Sequence, residues 1–377
     1  MDFDLSPEQD AIRGLAAQLL GDKATVERLR AVEAAEPLRF DRDLWAAMAE
    51  AGLLGLVVPE SGGGAGLGLV ELCLLLQEVG RTAAQVPALA ALAGGVLPIV
   101  RFRTSGDHTD LLPRLADGSV VAVGAFAEPL GDPRRPTLRA TSDGDGGWVL
   151  DGTRSNVAGG MVADVLVTAA VTDDGSVVVA TVDADGPGVS REAQETTSGI
   201  PEALVTFVGA QVPAGAVLAG PEVGREALDW IVDAATVATC AVISGVTAAA
   251  LALTGSYTRD RHQFGHPIAT FQAVGQRAAD AFVDVQAIEL TMLQAAWRLA
   301  EDRPADREVA VAKYWAAAGG QRVVHTAQHL HGGMGVDRDY PLHRYFLAAK
   351  QLELSLGGAS RQLLRLGAIL AEQGAAR

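Results

Sequence analysis

The sequence is poor in cysteine, in aromatic residues and in positive charge, and each shortage narrows the possible functions. Cys73 and Cys240 are the only cysteines among 377 residues. Both sit in apolar runs far apart, so neither a disulfide framework nor a cysteine-based zinc site is expected, and a reducing cytoplasm is the expected compartment. Lys and Arg number 30 against 46 Asp and Glu, a formal net charge of −16. That balance argues against general nucleic-acid binding, which needs a basic surface to displace phosphate counterions. No positively charged and then apolar signal segment opens the chain, and charged residues or glycines interrupt every long apolar run. Neither export nor a membrane span is expected.

What is present is ordinary globular material: 49% apolar and 20% charged residues, enough to bury the cores of two or three domains. Residues 1–118 read as helical. Ser6 can cap a first helix, with Pro7 in its first turn and Gln9 completing a capping box; Ile12, Leu15, Ala16, Leu19 and Leu20 then form one apolar stripe. A further helix is expected from about Asp41 through Leu44, Trp45 and Met48 to Gly52, a residue suited to a left-handed ending. The glycine run SGGGAGLG (61–68) fails the GxGxxG spacing and reads as a surface turn.

Between 119 and 220 the texture changes to β-branched runs, SVVAVGAF, VLVTAAV, VVVATV and ALVTFV, separated by DGDGG, DDGS and DGPG, which are strands joined by tight turns. From 221 to 377 the helical period returns, clearest in Phe271, Val274, Ala278, Ala281, Val285, Ile288, Met292, Ala295 and Leu299, the seam of a bundle. The expected class is α+β, mostly α, with an N-terminal helical domain (1–118), a middle β-domain built as a sandwich or barrel (119–220) and a C-terminal helical bundle (221–377). Near its end stands HLHGGMG (329–335), which could cradle a phosphate or ligate a metal. No third ligand with suitable spacing accompanies His329 and His331, so no metal is expected.

Three phrases together resemble the acyl-CoA dehydrogenase family: LWAAMAEAGLLGLVVPESGGGAGLG, RDRHQFGHPIATFQAVGQRAAD and HLHGGMGVDRDYP. The combination of RxxFGxPI, a following FQ and a later HGGxG is specific, and the resemblance spans the whole chain. It implies the acyl-CoA dehydrogenase fold, ending in a four-helix bundle, and a flavoenzyme that oxidises the Cα–Cβ bond of an acyl-CoA thioester. A carboxylate takes the α-proton, FAD takes the β-hydrogen as hydride, and an electron-transfer flavoprotein receives the electrons. The resemblance further implies that Arg261, Phe264, Gln272, His329, Gly332 and Gly333 hold the adenosine and pyrophosphate part of an FAD belonging to a neighbouring subunit. Arginine suits that task because its fork donates several charge-assisted bonds, and glycines let the main chain approach phosphate closely.

The chain departs from the family where chemistry should occur. The family's usual base falls on Leu356, and the alternative base position on the first long bundle helix falls on Ala235. Neither can take a proton. Asp233 lies two residues from Ala235 and should face elsewhere on a helix; Glu353, one turn before Leu356, is the available substitute. The family's Thr-Glu-Pro-x-x-Gly-Ser-Asp appears as AEPLGDPR (127–134), keeping Glu128 and Pro129 only, and the element that packs on the flavin ring falls on Asn156, Val157 and Ala158. Loss of base and ring contacts beside retained neighbour-serving contacts fits the subunit lacking the base in a heteromeric enzyme, resembling the actinobacterial heteromeric type of sterol side-chain degradation, with a homologous acyl-CoA dehydrogenase subunit as partner. A self-sufficient enzyme using Glu353, and a flavin-free binding or assembly protein, are the alternatives.

Overall fold

The computed structural model describes residues 3–35, 37–103, 110–128 and 131–375. Six α-helices come first: α1 (Pro7–Lys23), α2 (Val26–Ala35), α3 (Arg42–Glu50), α4 (Leu69–Thr82), α5 (Leu97–Phe102) and α6 (Leu111–Ala116). A π-helical segment, Leu89–Val96, leads into α5. The strands are β1 (Ala122–Ala125), β2 (Arg139–Ser142), β3 (Trp148–Ala158), β4 (Val165–Val171), β5 (Val177–Asp183), β6 (Val189–Gln194), β7 (Glu202–Val212) and β8 (Val217–Ala219). After α7 (Gly224–Asp260), a short hairpin of β9 (His262–Gln263) and β10 (His266–Pro267) precedes α8 (Gln272–Ala300), α9 (Asp306–His331), α10 (Leu342–Leu354) and α11 (Ala359–Ala375).

The chain groups into two compact units: one holds residues up to Arg28, Cys73–Ala84 and everything from Thr236 on, and the other holds Leu29–Leu72 and Gln85–Ala235. In the second unit the strands form one continuous mixed sheet in the order β6-β7-β3-β2-β4-β5-β8, with β1 pairing parallel to β4. The apolar runs of β4 and β5 are buried along almost their whole length, as expected of strands covered on both faces. The run SGGGAGLG is a turn, and its Gly64 is required: a Cβ there would lie 2.1 Å from the Val58 carbonyl oxygen.

The first unit is helical and centres on α9, against which α8, α10 and α11 pack. Helices α4 and α7 cross so closely that a Cβ on Gly245 would lie 1.8 Å from the Gln77 carbonyl oxygen, and Gln77 donates to Ser244 Oγ at the crossing (3.1 Å). The α1 cap is the expected capping box of Ser6 and Gln9 with Pro7 in the first turn.

Three expectations need correction. Of the α1 stripe only Ala16 and Leu20 are fully buried, and Leu15 is exposed, because the helix packs along a narrower line than its apolar composition suggests. In α8 the seam is buried from Ala281 to Leu299, but Phe271, Val274 and Ala278 are not: the described residues of this chain leave the first turns of the helix uncovered. Finally, α7 is long and apolar enough to cross a membrane by length and composition, contrary to the expectation that every run is interrupted; 72% of its most apolar window is buried inside the protein, which makes it a core helix.

Candidate functional site

Arg261 closes the C-terminus of α7, its main-chain N–H donating to the Tyr257 carbonyl (2.9 Å), while its own carbonyl accepts from Ile268 N (2.8 Å). These bonds clamp the β9–β10 hairpin, whose turn places Phe264 (φ 53) and Gly265 (φ 81) in left-handed conformations. A non-glycine residue at positive φ is uncommon and costs energy. The strain presents the Phe264 ring, 90% exposed, to solvent, edge-on to Phe271 at 6.2 Å. Gln272 begins α8 and is exposed. The Arg261 guanidinium is exposed and makes no ion pair among the described residues. The structure thus gathers Arg261, Phe264 and Gln272 on one hairpin and the helix start that follows it.

The remaining three candidates lie where α9 ends. His329 is exposed on its last turn. Gly332 stops the helix at φ 59, ψ −134, a combination that glycine alone takes readily. A Cβ added to Gly332 or Gly333 would meet nothing within 4 Å, so the main chain here faces open space. An uncommitted guanidinium, an exposed ring and a bare main chain together suit a pyrophosphate and an adenosine.

The two histidines of HLHGGMG separate. His331 is buried, stacked on Tyr257 with ring centres 4.3 Å apart. Its Nδ1 faces the Ala327 carbonyl (2.8 Å) and its Nε2 faces the Tyr340 hydroxyl (3.1 Å). A carbonyl only accepts, so Nδ1 carries the proton, and in the neutral ring Nε2 accepts from Tyr340. Burial lowers the imidazole pKa, with the Ala327 bond opposing. Among the described residues no group of three or more His, Cys, Asp and Glu is placed to hold a metal ion.

The family's base positions are elsewhere. Leu356 lies in the α10–α11 turn with φ 57, followed by Gly357 at φ 95. Two buried side chains fix this turn: Lys313 Nζ donates to the carbonyls of Leu352 (2.7 Å) and Glu353 (3.2 Å), and Gln362 Nε2 donates to those of Leu356 (3.2 Å) and Gly357 (3.3 Å). The carboxylate of Glu353 is ion-paired to Lys350 (2.7 Å). Burial lowers the Lys313 pKa to about 8 and raises that of the neighbouring Cys240 thiol to about 12. Ala235 lies on α7, and Asp233 is tied to Arg134 (2.6 Å), which also pairs with Asp229 (3.2 Å).

The ring-side candidates are equally committed. Pro129 falls outside the described residues. Glu128 is paired to Arg154 with both side chains 1% exposed, and it also accepts from Thr137 N (2.9 Å) and Thr137 Oγ1 (2.5 Å). Arg154 donates further to Thr168 Oγ1 (3.2 Å) and to the Ala169 carbonyl. Asn156 sits at φ 53 where the β3–β7 register shifts, its N–H bonded to Gln194 Oε1 (2.8 Å); such a bulge re-aims the strand. Val157 is buried and Ala158 exposed. Sequence reasoning passes over Arg154, Lys313, Gln362, Tyr257 and Tyr340, whose roles rest on contacts with residues on other elements.

Comparison with known proteins shows the family and the fold. The model of the acyl-CoA dehydrogenase N-terminal domain matches residues 6–119 and that of the C-terminal domain matches residues 224–370. The Mycobacterium tuberculosis acyl-CoA dehydrogenase FadE27 is 39% identical over 99% of both chains. Among solved structures, a Tcur3481–Tcur3483 steroid ACAD superposes with a TM-score of 0.91 at 45% identity, covering 98% of this chain and 99% of that one. The ChsE4–ChsE5 complex of Mycobacterium tuberculosis gives 0.91 at 39% identity, covering 99% of each. The chain belongs to the acyl-CoA dehydrogenase family.

Proposed function

We propose that this chain is the subunit without a catalytic base in a heteromeric, FAD-dependent acyl-CoA dehydrogenase. The observation that carries the reading is the contrast between the two candidate regions. Leu356 and Ala235 occupy the base positions, and the carboxylates beside them are spent, Glu353 on Lys350 and Asp233 on Arg134. Arg261 and the glycines Gly332 and Gly333 are open.

In this reading Arg261, Phe264, Gln272, His329, Gly332 and Gly333 hold the adenosine and pyrophosphate of an FAD whose ring lies in a homologous partner. When bound, FAD supplies the acceptor for the hydride that leaves the acyl β-carbon. This chain's residues bind and orient. The Arg261 fork neutralises phosphate charge, the bare main chain at Gly332 and Gly333 lets phosphate oxygens approach closely, and the Phe264 ring offers a face or edge for stacking. The α-proton goes to a carboxylate of the partner. The partner is a second acyl-CoA dehydrogenase chain, as in the ChsE4–ChsE5 complex, and the acyl group is steroid-derived, by analogy with the Tcur3481–Tcur3483 steroid ACAD. An electron-transfer flavoprotein is the onward acceptor, and the cytoplasm is the compartment, consistent with two free buried cysteines. Exposed Phe282 and Val283 on α8 and Leu363 and Leu364 on α11 give the bundle apolar faces for assembly.

The test is to purify the chain alone and together with a co-expressed homologue, and to compare flavin absorbance and bleaching on adding steroid-bearing and straight-chain acyl-CoAs. Colour and bleaching only in the mixed complex are expected. Bleaching by the chain alone, abolished by Glu353→Gln, would establish a self-sufficient enzyme with a displaced base. A colourless mixed complex would leave a binding or assembly protein.

A further inference from the structure

The open region consists of two pieces that are distant in the chain, the Arg261 hairpin and the glycine turn after α9. One aromatic cluster, with His331 buried and Tyr257 and Tyr340 half-buried, joins them. Tyr257 is the hub: its carbonyl accepts the Arg261 N–H (2.9 Å), its ring stacks on His331, and its hydroxyl donates to the His331 carbonyl (3.4 Å). His331 is the last residue of α9, immediately before Gly332. Its Nδ1–H is anchored on Ala327 one turn back, and its Nε2 takes the hydroxyl hydrogen of Tyr340, the residue that closes the loop beyond the glycines. Tyr340 also lies edge-on to Tyr257 at 6.3 Å. The cluster therefore touches the hairpin's root, the helix end and the far side of the glycine loop.

The glycine turn is one short 3-10 segment, Gly332–Val336, tied to α9 by the Gly332 N–H, which donates to the Gln328 and His329 carbonyls. Gly332 and Gly333 lack side chains and face open space, and a main chain of this kind loses more freedom on ordering than any other. A turn meant to meet a rigid anion must be held from behind. His331 does so with both ring nitrogens committed and one tautomer fixed.

We propose that Tyr257, His331 and Tyr340 are positioning residues that lock the Arg261 hairpin and the Gly332–Gly333 turn into one preorganised receptor for a dinucleotide pyrophosphate. This rests on the reading of that region as the FAD-holding side. Preorganisation lowers the ordering cost at the moment of binding, so loosening the cluster weakens retention although none of its three side chains needs to touch the ligand. The role differs from core packing in one respect: a defect introduced at Tyr340 must be felt at the Arg261 amide, on a separate element.

The test uses Tyr340→Phe, which removes one hydroxyl and keeps the ring, and His331→Phe, which keeps the stacking and removes both ring nitrogens. Amide hydrogen exchange is followed on the full chain without flavin. Exchange about five- to tenfold faster at both the Arg261 and the Gly332–Gly335 amides is expected for Tyr340→Phe, the size of one lost hydrogen bond, and at least that for His331→Phe, which loses two, with α1 and strands β1 to β8 unchanged. His331→Gln, whose terminal amide can still meet Tyr340, should recover part of the loss. In parallel, FAD release from the chain co-purified with its homologous partner should speed up by a similar factor. Acceleration at the glycine turn alone, or equally throughout the chain, would overturn the lock, as would unchanged flavin release from a coloured complex whose exchange had risen at both elements. If His331→Phe fails to fold, Tyr340→Phe decides. If the complex holds no FAD at all, the functional reading fails while the exchange experiment still judges the lock.

Discussion

The two regions that the resemblance assigns to a neighbour's flavin and to the chain's own chemistry have opposite electrostatic fates here. Around Arg261 and Gly332 the guanidinium and the bare main chain face outward, unspent on the chain's own packing. Around Glu128, Asp233 and Glu353 every carboxylate is consumed by a cation of the same chain, Arg154, Arg134 and Lys350 respectively. A carboxylate engaged by a cation of its own chain is poorly placed to reach the proton of a weak carbon acid. The difference means that, on the proposed reading, the acidic residues nearest the expected base and ring positions serve packing, each through an ion pair within the chain.

The sharpest way to break this contrast is to cut the most deeply buried pair. Glu128→Ala or Arg154→Met should each destabilise the protein by about 3–5 kcal/mol, because each leaves an uncompensated buried charge. The double change Glu128→Leu with Arg154→Met should recover much of that loss. Chemical denaturation of the three variants measures it, and equal stability of the single variants and the wild type would show that Glu128 is not structurally committed. Next in size, Arg261→Ala should leave folding unaffected and weaken flavin retention in the assembled enzyme tenfold or more, since a charged hydrogen bond is worth about 1.5–3 kcal/mol. Flavin occupancy after serial dilution reads it.

A third prediction uses pH. Burial holds the Lys313 pKa at about 8 against an ordinary value of 10.5. The folded chain therefore loses this proton near pH 8, while the unfolded chain keeps it to about two units higher. In that window the unfolded state binds more protons, so this group makes stability rise with pH from 8 toward 10.5 and costs stability below 8. Denaturation midpoints across the window should show a rise that Lys313→Met flattens. The smallest effect concerns Leu356. Leu356→Asn should change stability by no more than about 1 kcal/mol, relief of the left-handed strain offsetting lost apolar contact. On the proposed reading, Leu356→Glu should produce no flavin bleaching in the chain alone, since Asn156, Val157 and Ala158 stand where the resemblance places the element that packs on the flavin ring. Bleaching there would erase the contrast between the regions.

How much of this the sequence discloses depends on the range of the interaction. The α1 capping box and the Asp41 cap of α3 are legible because they are bonds between residues three apart. The cores of β4 and β5 are legible as apolar runs. Helix α2 is not, having no strong apolar period in Val26–Ala35, and β6 is half exposed with a mixed pattern. The α8 seam marks which residues are apolar but not what covers them, so its first turns read as buried when they are not. In the candidate site, Arg261 and the glycines stand out only through a resemblance that links separated motifs. His331 is visible in its motif but its partner is not, since the residue it stacks on is Tyr257, 74 positions away. Lys313 and Gln362, which fix the Leu356 turn from α9 and α11, are likewise contacts that no local pattern encodes.

The uncovered start of α8 has a consequence for supply. A chain that leaves Phe264, Phe282 and Val283 in water gains folded stability from whatever covers them, by an amount that grows with the logarithm of that partner's concentration. In the proposed heteromer its lifetime in a cell is then a shared property: made in excess, the surplus copies stay the least stable members of the pool and are the first to be degraded, so the scarcer of the two subunits sets the amount of both.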